Sequence, residues 1–173
     1  MAILPIIVAP DPQLKTISTP VAEITDEIRE LVADMFETMY EAPGIGLAAI
    51  QVGVQKRLLV LDVVGKGQEG EDPEPIAIIN PDITWVSDDD SMYEEGCLSV
   101  PSHYADVVRP TEIKLSYLDL DGEKQELHAD GLLSTCIQHE IDHLDGILFV
   151  DHISALKRNM ILRKLLKQKK MAS

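Results

Sequence analysis

The chain has 173 residues, 45% of them hydrophobic, and two cysteines, which suits one globular domain with a sizeable core and no disulfide framework. No apolar run approaches the ~18 residues that span a bilayer, and the first ten residues lack a basic segment and are broken by Pro5, so neither a membrane helix nor a signal peptide is expected. The net charge of −15 is uneven: residues 154–173 hold seven Lys or Arg and no acid, while residues 1–153 hold the other eight basic residues and all thirty acidic ones; a body at −22 is a poor general binder of nucleic acid, and no DNA partner is expected.

Pro5, Pro10, Pro12 and Pro20 punctuate an irregular start. Thr25 or Asp26 opens a helix in which Ile28, Leu31, Val32, Met35, Phe36 and Met39 keep the three-and-four spacing of one buried stripe. Gly44-Ile45-Gly46-Leu47-Ala48-Ala49-Ile50-Gln51-Val52-Gly53 follows, dense in small residues that let backbone approach a ligand or another chain closely. It is not a Gly-x-Gly-x-x-Gly pattern and no Lys-Ser/Thr follows, so it is no nucleotide loop. Gln51 is its one side chain able to donate a directed hydrogen bond. Leu58 to Val63 reads as a buried strand, Gly65 to Pro75 as an exposed, mobile acidic loop, and Ile76–Ile79 and Ile83–Val86 as two strands around Asn80-Pro81. Ser87 to Ser91 reads as an acidic loop. Ile113, Leu115 and Tyr117 alternate with polar neighbours, Asp121-Gly122 supplies a hairpin turn, and Glu123 to His128 return as the partner strand.

Asp130 caps a central helix that Gly146 ends. Within it, Cys136-Ile137-Gln138-His139-Glu140-Ile141-Asp142-His143 contains His-Glu-x-x-His. Four helical residues turn about 400° and rise about 6 Å, so His139 and His143 stack on one face where both imidazoles reach one metal ion. Glu140 lies about 100° away, beside the metal without ligating it, which suits a base for a metal-bound water. A third protein ligand is needed. His152, the only later histidine, sits in a Phe-Val-Asp-His stretch that reads as helix exit and is poorly aimed. Cys136 shares the histidine stripe but lies seven residues before His143, about 10 Å along the axis, which makes it a core thiol. Cys97 follows Gly96 in a loop and can approach freely; thiolate plus two imidazoles leaves a fourth position open for water. Taken alone, Cys97 reads more readily as a buried thiol.

Gly44-Ile45-Gly46-Leu47-Ala48-Ala49-Ile50-Gln51, Glu95-Gly96-Cys97-Leu98-Ser99 and Gln138-His139-Glu140-Ile141-Asp142-His143 occur in the order and spacing of the peptide deformylases, and Met35-Phe36-Glu37-Thr38-Met39-Tyr40 is also similar to theirs. The resemblance covers nearly the whole chain. It implies an α+β fold, a single domain over 1–173 with antiparallel sheets packed around the central metal-binding helix. It implies an enzyme that removes the formyl group from the N-formylmethionine of nascent peptides in a bacterial-type cytoplasm, releasing formate. Cys97, His139 and His143 would hold one divalent metal, Fe(II) natively in the family and often replaced by Zn, Ni or Co. Glu140 would pass a proton from metal-bound water to the leaving amine, while the Gln51 side-chain N–H and the Leu98 backbone N–H surround the oxyanion. The methionine pocket would be lined by Ile45, Gly46, Tyr93, Leu132, Thr135, Cys136 and His139. One departure stands out: many relatives carry Arg three residues after the proline of the second motif, where this chain has Pro101-Ser102-His103-Tyr104, so a substrate contact made by that Arg is not carried over.

Two competing readings are an endopeptidase of the His-Glu-x-x-His type and a non-catalytic metal-binding or ribosome-associated protein. The lack of a well-placed downstream ligand argues against the first, and Glu140 and Gln51, needed by neither binding role, against the second. Ser154 caps a basic helix over 154–170, with Ile161, Leu162, Leu165 and Leu166 on one arc and Lys157, Arg163, Lys164, Lys167 and Lys170 opposite. Either this helix packs on the body with its cations solvated, or its basic face docks on ribosomal RNA, as the resemblance suggests, since relatives use a C-terminal helix for ribosome contact.

Overall fold

A computed structural model describes residues 2–64 and 72–172. Most of the acidic loop expected over 65–75 therefore lies outside the described residues. The Thr25 side chain accepts a hydrogen bond from Ile28 N and starts α1 (Asp26–Glu41), whose buried face is Ile28, Val32, Met35, Thr38 and Met39. A short strand β1 (Gly46–Ala48) and a 3-10 turn (Ala49–Val52) follow, then β2 (Leu58–Leu61), ending short of the expected Val63.

β3 runs unbroken from Ile76 to Val86, correcting the two strands expected around Asn80-Pro81. The interruption survives as a register shift between Ile79 and Asp82, with Asn80 at φ 51. Asn80 tolerates that left-handed conformation, and its side chain bonds Val21 N and O across the bulge (2.8 and 2.9 Å). β4 (Asp90–Cys97) and β5 (Val100–Pro110) form a separate antiparallel hairpin. Cys97 thus ends a strand and does not sit in a free loop. β5 has few buried residues along its length, so its sequence carries no clean apolar alternation. β6 (Ile113–Leu118) and β7 (Lys124–Ala129) complete a five-stranded antiparallel sheet in the order β1-β2-β3-β6-β7. The central helix α2 spans Gly131–Leu144, a 3-10 turn covers Phe149–His152, and α3 spans Ala155–Ala172.

All four residues of β2 are fully buried because the sheet is covered on both faces. Leu58 and Val60 face α1 with Val32, Met35 and Met39, whereas Leu59 and Leu61 face α2 with Ile137, Ile141 and Leu144. Each such side chain stabilises the fold by about 1.5–3 kcal/mol through burial. A third cluster joins Leu14, the hairpin residues Val100 and Val107, Phe149 and Val150, and Leu165 of α3. It fixes the hairpin's Cys97 end against the C-terminal half of the chain. Among the described residues no helix is long and apolar enough to cross a membrane.

Candidate metal centre

α2 begins after Asp130, whose backbone is extended but whose side chain makes no cap bond. From Ser134 to Ile141 every residue is buried, so polar side chains on this helix must be satisfied by protein groups. The His139 and His143 rings lie 5.1 Å apart. The end of β4 brings Cys97 Sγ to 3.3 Å from His143 Nε2. The ligand atoms of Cys97, His139 and His143 all lie within 4.8 Å of one another, the one such trio of His, Cys, Asp or Glu among the described residues. Cys136 stays out of it, buried with Sγ 3.8 Å from the Ile45 carbonyl.

Groups behind the trio hold it in place. His139 Nδ1 bonds Glu95 Oε1 at 3.0 Å, which leaves Nε2 for the site. Arg109 grips Glu95 with Nε and Nη2 at 2.7 and 2.9 Å, and its Nη1 reaches Asp142 at 2.8 Å. Burial would raise the Glu95 pKa, but the hydrogen bonds from His139 and Arg109 outweigh it and hold the carboxyl at about 2. His152, poorly aimed as a ligand, bonds Asp142 instead at 2.8 Å. Sequence reasoning placed Asp142 and Ser99 inside motifs without giving them a role, and it passed over Arg109. Glu95 stood inside a motif, yet Arg109 lies 14 residues further on with no local signal.

Burial alone would lower the His139 pKa, but its contacts with Cys97 and Glu95 and the charge of Glu140 raise it well above the ordinary value. Burial and the charge on His139 push His143 well below its own. Sulfur and two ring nitrogens at this short range fit a divalent metal of the iron or zinc kind. Glu140 stands beside the trio with Oε1 buried and without a hydrogen-bond partner among the described residues. Gln51 is locked behind it: Oε1 accepts from Ala48 N at 2.9 Å, and Nε2 lies 3.0 Å from Ser99 Oγ and 3.5 Å from Cys97 Sγ.

A cleft of about 690 Å³ reaches Cys97, His139 and Glu140, with Gln51 and His143 buried behind its lining. Its lining includes Ile45, Gly46, Tyr93, Leu132, Thr135, Cys136, His139 and Glu140, together with Cys97, Leu98 and Tyr104. Gly46 is required there: a Cβ would strike Glu140 Oε2 and lie 3.0 Å from both Glu140 Cδ and Cys136 Sγ.

The chain matches the polypeptide deformylase family over residues 3–159. It is 56% identical to a peptide deformylase of Rhizobium meliloti over 170 residues, covering 98% of this chain and 96% of the relative. It is 53% identical to that of Brucella suis over 173 residues, covering 100% and 95%. Among solved structures, peptide deformylase from Ehrlichia chaffeensis in complex with actinonin superposes with a TM-score of 0.91 at 44% identity, covering 97% of this chain and 98% of that one. The Legionella pneumophila structure gives 0.90 at 46% identity, covering 99% and 98%.

Proposed function

Because the chain belongs to the polypeptide deformylase family of metal-dependent hydrolases, we propose that it hydrolyses the formyl group from the N-formylmethionine of newly made polypeptides in a bacterial-type cytoplasm, releasing formate. The observation that carries this is a cleft in which an unpartnered carboxylate oxygen of Glu140 stands beside the Cys97, His139 and His143 ligand atoms.

Cys97, His139 and His143 would hold one divalent ion, Fe(II) first and Zn, Ni or Co in its place, which supplies Lewis acidity toward a carbonyl and lowers the pKa of water toward ~7. Glu140 takes the proton of the attacking water and returns it to the departing amine nitrogen. The Gln51 Nε2 and the Leu98 backbone N–H donate to the carbonyl oxygen as negative charge develops on it; losing one such donor typically costs about 3–4 kcal/mol of transition-state stabilisation. Gln51 suits that task because Ala48 N and Ser99 Oγ hold its amide, while its second Nε2 hydrogen makes only a long 3.5 Å contact, to Cys97 Sγ at the site. Ile45, Tyr93, Leu132, Thr135 and Cys136 form the wall that receives the methionine side chain. Gly46, lacking a Cβ, leaves the Glu140 carboxylate its place beside the site.

The test is formate release from formyl-Met-Ala by protein purified without oxygen and analysed for metal. No formate from the Fe(II), Co(II) or Ni(II) forms would overturn the proposal, and cleavage of a denatured protein would favour the endopeptidase. The proposal extends to a second contact: exposed Lys157, Arg163, Lys164 and Lys167 on α3, joined to a body at −22, form a segregated cationic face suited to ribosomal RNA.

A further inference from the structure

We propose that His152 is a positioning residue for the candidate ligand His139, acting through Asp142, Arg109 and Glu95. The inference rests on the metal site proposed above.

After α2 the chain turns sharply at Gly146 (φ 76), where a Cβ would lie 2.6 Å from the Lys15 carbonyl oxygen. It then folds back as the 3-10 turn Phe149–His152. Two side chains of this turn return to the metal helix. The Phe149 ring stacks on His139, with centroids 6.2 Å apart and planes 24° from parallel. His152 Nε2 lies 2.8 Å from Asp142 Oδ2. The same oxygen accepts from Arg109 Nη1 at 2.8 Å. Arg109 in turn clamps both oxygens of Glu95, and Glu95 Oε1 bonds His139 Nδ1. One face of His139 is therefore set by Phe149, and its Nδ1 by a chain of hydrogen bonds that ends at His152.

The links differ in exposure. Arg109 and Glu95 are each 5% exposed at the side chain, Asp142 20% and His152 35%. The inner fork is fixed by packing, while the Asp142 carboxylate at the rim is free to rotate unless a second donor pins the oxygen that Arg109 uses. His152 is that donor. The turn presenting it is itself pinned, because Asp151 accepts from Leu148 N at 2.9 Å and pairs with Lys15. Losing a partner of a metal-binding histidine typically costs about 10–100-fold in metal affinity or activity. His152 is further removed and belongs at the low end of that range.

The experiment uses the whole chain loaded with Co(II), comparing His152→Ala, His152→Gln, Asp142→Asn and Asp142→Asn/His152→Ala. The readouts are the rate of Co(II) loss to a chelator, the visible absorption of the Co(II) site, kcat and KM on formyl-Met-Ala, and the melting temperature. The expected result is that His152→Ala loses Co(II) about 10-fold faster, with a displaced absorption band and a lower kcat at unchanged KM. His152→Gln, which keeps an N–H donor, should restore all three, and the alanine should add nothing in the Asp142→Asn background. Unchanged Co(II) loss and absorption in His152→Ala, with only the melting temperature lowered, would overturn the inference, as would failure of Gln to rescue. Co(II) loss and absorption need no substrate. A parent protein that held Co(II) but released no formate would therefore sink the proposed activity and leave this inference standing.

Discussion

Glu140 shares a helix turn with His139 but not its chemistry. Burial pushes its carboxyl up to about 7, with His139 pulling the other way, and a carboxyl poised near neutrality can both take and return a proton. Glu140→Gln should keep its metal and lose about 10²–10⁴-fold in kcat. Metal analysis beside formate release checks this, and a variant that lost metal or turned over normally would remove Glu140 from the base role. Gly46→Ala tests the same carboxylate from outside, since the new Cβ must displace it. Metal content should hold while kcat falls at least tenfold, about 1.4 kcal/mol of barrier; an unchanged kcat would mean that the site relaxes freely. The two cysteines should separate cleanly. Cys97→Ser is expected to lose metal, whereas Cys136→Ser keeps it, because burial and the charges of Glu140 and Glu95 raise the Cys136 pKa and keep it a neutral thiol. Metal contents in the reverse order would overturn the ligand assignment.

At the scale of elements, α3 is both core and surface. Leu165 is 2% exposed within the cluster around Phe149, and Ile161 and Leu162 pack beside it, whereas Leu166, expected on the same arc, is 41% exposed. Ser154 does accept a bond from Lys157 N at 3.2 Å at the helix start. Deleting the helix would strip cover from the hairpin that carries Cys97, so truncation cannot separate docking from folding. Neutralising Lys157, Arg163, Lys164 and Lys167 to Gln can. That variant should hydrolyse formyl-Met-Ala normally and lose ribosome co-sedimentation, and the parent's binding should weaken steeply as salt rises. Equal co-sedimentation of the two would end the docking proposal.

Across the molecule, apolar packing ties the five-stranded sheet to α2, and charge ties the hairpin to it. Glu95 on the hairpin, Arg109 on its second strand and Asp142 on α2 form one ionic unit. The Glu95 pKa of about 2 lies below the usual 4.5, so its contribution to stability is complete above about pH 4.5 and is lost as pH falls toward 2. Over that window the protein should lose on the order of 3 kcal/mol through this group. Denaturant titrations at pH 5 and pH 3 should capture about 2 kcal/mol of it, measured against Glu95→Gln, which should be less stable at pH 5 and show a shallower acid slope. Parallel slopes would show that the unit does not govern acid stability.

The spacing of His139, Glu140 and His143 determined their joint placement, because four residues per reach is a property of helical backbone and needs no knowledge of the rest of the chain. The α1 stripe and the Asp121-Gly122 hairpin were legible for the same reason: periodicity and turn chemistry are local. The motifs Gly44 to Gln51 and Glu95 to Ser99 pointed to a family but could not say, from their own residues, whether Cys97 was a ligand or a core thiol. The hairpin's register, which no stretch of sequence displays, carries Cys97 Sγ to within 3.3 Å of a histidine 46 residues away, where the proposed ligand role needs it. The same holds for β3, read as two strands because Asn80-Pro81 looks like a break where the fold keeps it as a bulge within one strand, and for His152, dismissed as a ligand and found bonding Asp142. Contacts between distant segments depend on strand register and helix docking, and these follow from burial of the whole core rather than from any stretch of sequence.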